Sequence, residues 1–287
     1  MPLPFSSKQA YAMGKTVVYL KALNMPASLR VLILGGTTEA MALCHTLENH
    51  AYITPILSLA GVTRAPHLPN SAVRSGGFGG AAGLYQWLQD NRINAVVDAT
   101  HPFAATMSHN AAQACTTAHT PLLRLERPAW QQTAQDRWYT VPSLQAAAHM
   151  LATPNLWGKE RLCIFLTTGR KETSPFQAAP QHHYILRSIE APDTASLPPN
   201  TTLITARGPF DLAAELATMR HYKFDCIVTK NSGGSATFPK IEAARQLGIP
   251  VIMINRPAPS LAPCVTGAPQ ALQWLNACYS ASTLRDV

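Results

Sequence analysis

At 287 residues the chain is long enough for two domains of ordinary size, each with its own core. Its formal charge of +8 comes from scarce carboxylates, 15 against 23 Lys and Arg, and not from any Lys/Arg block of the kind found in nucleic-acid-binding tails. That balance argues against a nucleic-acid partner and fits a polyanionic small substrate, while no apolar run approaches the roughly 18 residues of a membrane span.

Residues 1–29 read as an N-terminal extension. Lys21 interrupts TVVYLKAL, so a secretory signal is not expected, and Met25 stands just ahead of the first strand. Tyr11 and Lys15 have a YxxxK spacing but precede that strand, which is the wrong place for a reductase pair. The six cysteines, Cys44, Cys115, Cys163, Cys226, Cys264 and Cys278, form no CxxC and no zinc-type set. Reduced thiols, a cytoplasmic location and no metal are therefore expected.

The stretch RVLILGGTTEAMALCHTL (Arg30 to Leu47) organises the first half. Val31 to Leu34 are too apolar to alternate, as in a parallel strand covered on both faces. Gly35 and Gly36 supply the turn, and Thr37 or Thr38 caps a helix whose apolar face is Ala40, Met41, Cys44 and Leu47. A strand, a glycine turn and a helix N-terminus make a phosphate site, although GGTTEA is not the full GxGxxG fingerprint. Ile53 to Ala60, Ala95 to Ala99 and Pro121 to Leu125 read as further strands, separated by helical Gly83–Asp90 and Ala104–Ala118. Alternation of this kind predicts a parallel sheet with helices on both faces.

Between Glu48 and Asp90 there is no carboxylate, while Arg64 follows the second strand and Arg74 lies beyond. An unopposed arginine there suits a 2′-phosphate, so NADPH is expected over NADH. SGGFGG, with Gly79, offers backbone amides near the same edge. DATHPFA places Thr100, His101 and Pro102 at the carboxyl end of a strand, where open α/β sheets hold their ligands.

After a weaker stretch from Gln131 to Lys159 a second α/β domain is expected, giving domains at 30–150 and 151–287. RLCIFLTT, YILRSI, TTLITA, DCIVTK and IPVIMI read as its strands. Arg170 (TTGRKE), Arg207 (ARGPF) and Lys230 (TKNSGG, with Asn231, Ser232 and Gly233) each follow a strand. Cations at several strand ends of one domain suit carboxylate or phosphate groups.

Taken in order, ILGGTTEA, GGFGG, DATHPFA, ERPAW, TTGRKE, ARGPF, TKNSGG and LGIPVIMINRP resemble the precorrin-6A reductase family of cobalamin biosynthesis, over about Arg30 to Pro257. The resemblance implies two Rossmann-like domains with parallel sheets flanked by helices and a cleft between them. It also implies nicotinamide-dependent reduction of one double bond of the precorrin-6A macrocycle, giving precorrin-6B. Gly35, Gly36, Thr37 and the DATHPFA edge would serve the cofactor, and the TTGR, ARGPF and TKNSGG loops would enclose the tetrapyrrole. The acetate and propionate arms of that macrocycle would account for the strand-end cations. A cobalt-free substrate is favoured over the cobalt-containing one of the anaerobic branch. Other readings are an NADP-dependent reductase of another anionic substrate and a nucleotide sensor without turnover. No general acid stands out, His101 being the one candidate, and a monomer is expected.

Overall fold

The structure is a computed structural model that describes residues 28–60, 71–258 and 261–285; Arg64 and most of the N-terminal extension, Tyr11, Lys15 and Met25 included, lie outside the described residues. The first half runs β1 (Leu29–Leu34), α1 (Thr38–Leu47), β2 (Ile53–Leu59), β3 (Ala72–Ser75), α2 (Gly80–Asp90), β4 (Ala95–Asp98), α3 (Ala105–Thr117) and β5 (Leu122–Leu125). The second runs β6 (Trp138–Val141), α4 (Leu144–Leu151), β7 (Cys163–Leu166), β8 (His183–Ser188), β9 (Thr201–Thr205), α5 (Leu212–Tyr222), β10 (Cys226–Lys230), α6 (Pro239–Leu247) and β11 (Val251–Ile254). A short β12 (Cys264–Val265) and a long α7 (Ala268–Arg285) follow.

These strands form two parallel sheets of six, ordered β12-β5-β4-β1-β2-β3 and β6-β11-β10-β7-β8-β9. Val31, Leu32 and Ile33 are fully buried, as a strand covered on both faces requires. The helix expected after the glycines is α1, with Ala40, Leu43, Cys44 and Leu47 buried and Met41 half-buried against the same core. In each sheet the order reverses beside a central strand, between β1 and β4 in the first and between β7 and β10 in the second. Ligands of open α/β sheets collect at such switch points, outside the carboxyl ends of the strands.

The sheets divide the chain differently from the expected break at residue 150. WYTV at Trp138–Val141 pairs with β11 of the second sheet, and α4 packs into the second core, so that domain begins before residue 138. The tail returns to the first domain. There β12 pairs with β5, and Ala271, Leu275 and Tyr279 of α7 enter the first core, with Tyr279 stacked on Tyr52 at 4.2 Å. The first sheet thus takes its sixth strand from beyond the whole of the second domain's sequence. The physical reason is coverage: α7 buries the apolar face that β1, β4 and β5 would otherwise leave to solvent. Among the described residues the cysteines are free and no helix is long and apolar enough to cross a membrane.

This return is testable. Leu275→Ala should destabilise the protein by about 2 to 5 kcal/mol, the cost of a buried leucine cavity, measured by urea unfolding. An unchanged midpoint would show that α7 adds nothing to the first core.

Candidate active site

At the first switch point, Gly35 is packed so closely that a Cβ would lie 2.5 Å from Leu57 Cδ1. Gly36 is the opposite case. Its φ is +108°, and nothing lies within 4 Å of where its Cβ would point, so the turn is open to a ligand. Thr37 caps α1, its hydroxyl accepting from Ala40 N at 3.1 Å and donating to Ala99 O at 2.7 Å, which ties the ends of β1 and β4 together. Thr38 is exposed and donates to Glu39 Oε1 at 3.1 Å. The first-turn amides of such a helix lack intrahelical partners and face an anion favourably. The residues present therefore fit a pyrophosphate.

Beyond β2, Gly76 N donates to Leu59 O, so the SGGFGG loop lies at the carboxyl edge as expected. Gly79, at φ +80°, begins α2 with open space beside it. Arg74, directly across from Ser58, donates to Ser58 Oγ at 2.7 Å and to the carbonyls of Gly76 and Gly77, and stacks 3.8 Å from the centre of Phe78. No carboxylate among the described residues pairs with it.

The DATHPFA turn divides its residues between scaffold and surface. Asp98 and Arg124, opposite each other on β4 and β5, form a 2.8 Å ion pair and are almost fully buried. Thr100 belongs to this network, its hydroxyl donating to Asp98 Oδ1 at 2.7 Å and accepting from Arg124 at 3.0 Å. Arg124 also reaches Glu126 at 2.6 Å. Thr100 is thus a strut of the edge and not a free ligand group. Pro102 is buried beside a cavity of about 600 Å³ whose wall includes Ser108, Arg124, Glu126 and Arg256. His101 accepts from Phe103 N at Nδ1 (3.2 Å), leaving the ring proton on Nε2. Burial, with Arg127, Lys230, Arg256 and Arg124 adding their charge, pushes its pKa down to about 3. At that value the ring is neutral at physiological pH.

The second switch point abuts the first. Lys230 ends β10, its ammonium 5.1 Å from the centre of the Phe103 ring and paired with Glu172. Burial lowers that ammonium to about 8. Arg170 pairs with Glu190 at 2.9 Å, and Arg207 is exposed without an ion-pair partner among the described residues. The rest of TKNSGG differs from expectation. Asn231 accepts from Trp130 N at 2.8 Å and donates to Trp130 O at 3.0 Å, so its amide holds the interdomain segment and not a substrate. The carbonyl of Ser232 is taken by Arg127 and Arg256. A Cβ on Gly233 would meet Pro128 O at 2.1 Å, so this glycine exists for close packing of the chain after β5.

Arg127 and Arg256 are the groups that sequence reasoning passed over. Arg127 bonds Glu39 at 2.7 Å in the first domain and the carbonyls of Ser232 and Gly233 in the second. Arg256 bonds Glu126 at 2.6 Å, the Arg127 carbonyl and the carbonyls of Asn231 and Ser232. The signal was present in ERPAW and INRP, where an arginine follows a buried strand and precedes a proline.

Two parallel sheets whose carboxyl edges meet, one with an open glycine turn and the other with strand-end cations, define a protein of two Rossmann-like domains. The chain belongs to the family described as Precorrin-6x reductase CbiJ/CobK, which it matches over residues 30–276, as its motifs implied. It is 44% identical over 248 residues to the precorrin-6A reductase of Rhodococcus erythropolis, covering 86% of this chain and 97% of that one. It is 30% identical to the cobalt-precorrin-6A reductase of Salmonella typhimurium, over 80% of this chain and 88% of that one. A solved structure titled CobK precorrin-6A reductase superposes with a TM-score of 0.78 at 40% identity, covering 87% of this chain and 96% of that one.

The half-buried His101 gives the junction a specific acid sensitivity. The unfolded chain takes up a proton there near pH 6.5 and the folded one only near pH 3, so stability from this residue is full above 6.5 and is lost as the pH falls between them. His101→Asn should flatten the stability-pH curve just below pH 6.5 by up to about 1.4 kcal/mol per pH unit. Parallel curves for the two proteins in urea unfolding would show that the imidazole titrates alike in the folded and unfolded states.

Proposed function

We propose that this protein reduces one carbon–carbon double bond of precorrin-6A with NADPH, giving precorrin-6B in cobalamin biosynthesis. The observation that carries this reading is the abutment of the two switch points, which sets His101 and Phe103 of the glycine-turn domain against Lys230 of the cationic one. NADPH, when bound, supplies the hydride. Gly36, Thr37 and Thr38 would hold its pyrophosphate. Arg74, a cation without a carboxylate partner at the end of β2 and β3, supports the choice of NADPH over NADH.

The neutral His101 and Pro102 would border the nicotinamide at the end of β4, with Thr100 bracing them. Arg170, Arg207 and Lys230 would receive carboxylates of the macrocycle. Lys230 also carries a proton it can give up near neutral pH, which fits the protonation that must accompany hydride transfer. Positioning is the larger contribution in such a reaction, and the arginine lattice between the domains provides it. The cobalt-free substrate is supported by the 44% identity to a precorrin-6A reductase against 30% to a cobalt-precorrin-6A reductase.

Loss of NADPH absorbance on adding precorrin-6A tests the reading, and absence of consumption would overturn it, leaving a reductase of another anionic substrate or a nucleotide sensor. The division of labour has its own test. Arg207→Ala should weaken tetrapyrrole binding by about 1.5 to 3 kcal/mol, the worth of a charge-assisted hydrogen bond, and leave NADPH affinity alone. Gly36→Val should do the reverse, because a side chain there fills the open turn. Loss of NADPH binding in a folded Arg207→Ala protein would mean that the nucleotide reaches into the second domain.

A further inference from the structure

Beside the second switch point lies a cavity of about 330 Å³ in which only Arg170 has been given a role so far. Its wall is the loop after β7, from Thr168 to Glu172, together with Ile189 and Glu190 after β8. The two threonines that end β7 are used differently. Thr167 donates its hydroxyl to Val228 O at 3.1 Å and so fastens β7 to β10. Thr168 is only 6% exposed, yet its hydroxyl has no hydrogen-bond partner. A buried hydroxyl left unpaired is costly, of the order of 1 to 3 kcal/mol, and such groups in native proteins call for an explanation.

The charges around it have a common pattern. Arg170 is held by Glu190 and Lys230 by Glu172, and both glutamates belong to the cavity wall. Two of the three cations that the functional reading gives to substrate carboxylates, Arg170 and Lys230, are therefore already occupied by carboxylates of the chain itself. The glutamates of these pairs are partly exposed, Glu172 at 40% and Glu190 at 32%, so each can swing away when another carboxylate takes its place, and Lys230, at 12%, requires that replacement.

We propose that this cavity is a socket for one carboxylate arm of the tetrapyrrole, in which Thr168 supplies the hydroxyl donor at the floor and Glu190 and Glu172 stand in for ligand carboxylates until the ligand displaces them. The inference rests on the tetrapyrrole reading above and adds two things to it. It gives Thr168 a binding role, and it makes the two glutamates competitors that set how many carboxylates a ligand must bring. A ligand with too few anionic arms cannot release both cations and is refused, whereas one carrying a full set exchanges ion pair for ion pair and gains the Thr168 hydrogen bond.

The test is titration of the full chain with uroporphyrin, an octacarboxylate porphyrin, in parallel with NADPH. Thr168→Val, which keeps the shape and removes the hydroxyl, should raise the porphyrin Kd about tenfold or more, and Thr168→Ser should restore it. Glu190→Gln and Glu172→Gln should each lower that Kd about two- to fivefold. All four proteins should bind NADPH as the parent does. Unaltered porphyrin binding by Thr168→Val, weaker binding by the glutamine variants, or no porphyrin binding by the parent would each overturn the socket. If the porphyrin results hold while precorrin-6A leaves NADPH unoxidised, the reductase reading falls and the socket stands.

Discussion

Two arginines hold the molecule's functional geometry, because the two sheets meet only at their carboxyl edges and something must fix that meeting. Arg127 leaves β5 and crosses to carbonyls just after β10 while holding Glu39, and Arg256 leaves β11, holds carbonyls just after β10 in its own domain and crosses to Glu126 and the Arg127 carbonyl. A guanidinium suits this task, since its rigid fork can satisfy several acceptors in one plane. Close packing follows from it. Gly233 and Gly234 have no room for a Cβ because the backbone of Pro128 and the side chain of Arg127 occupy that space. The glycine-rich appearance of TKNSGG is thus a consequence of the domain junction.

The same lattice shapes the electrostatics of the site. Arg124, Arg127, Arg256 and Lys230 surround His101, each with a carboxylate partner, and the imidazole among them stays neutral. Where the cations are paired, the response to an anion depends on which pairs can open. The pairs with least exposure, Asp98 with Arg124 above all, are fixed, since stripping one partner from a buried pair leaves an uncompensated charge. The outer pairs can rearrange.

Much of the fold was legible because the central strands are dense apolar runs with glycines or polar residues at their carboxyl ends, and Val31 to Leu34 with Gly35 and Gly36 is the clearest case. Edge strands were not, β9 (TTLITA) excepted. AVRS, WYTV and the two-residue β12 are short and mostly exposed or half-buried, so they carry no periodicity to read. The division of the chain at residue 150 failed for the same reason, since WYTV belongs to the second sheet. At the site, the open Gly36 turn and the strand-end position of His101 and Lys230 were legible. The use of Asn231 was not, because its partner Trp130 lies 101 positions away. Arg124 could have been found: an arginine inside the apolar PLLRL needs a buried acid, and Asp98 ends the neighbouring strand.

The return of the tail to the first sheet bears on the order in which the chain becomes structured as it leaves the ribosome. Every strand of the second sheet lies within one uninterrupted stretch, from Trp138 to Ile254, whereas the first sheet waits for Cys264 and Val265 and for the cover of α7. Domains fold as units during synthesis, usually the N-terminal one first. Here the later-emerging domain is the first able to complete its sheet, and the glycine-turn domain, although translated earlier, closes last.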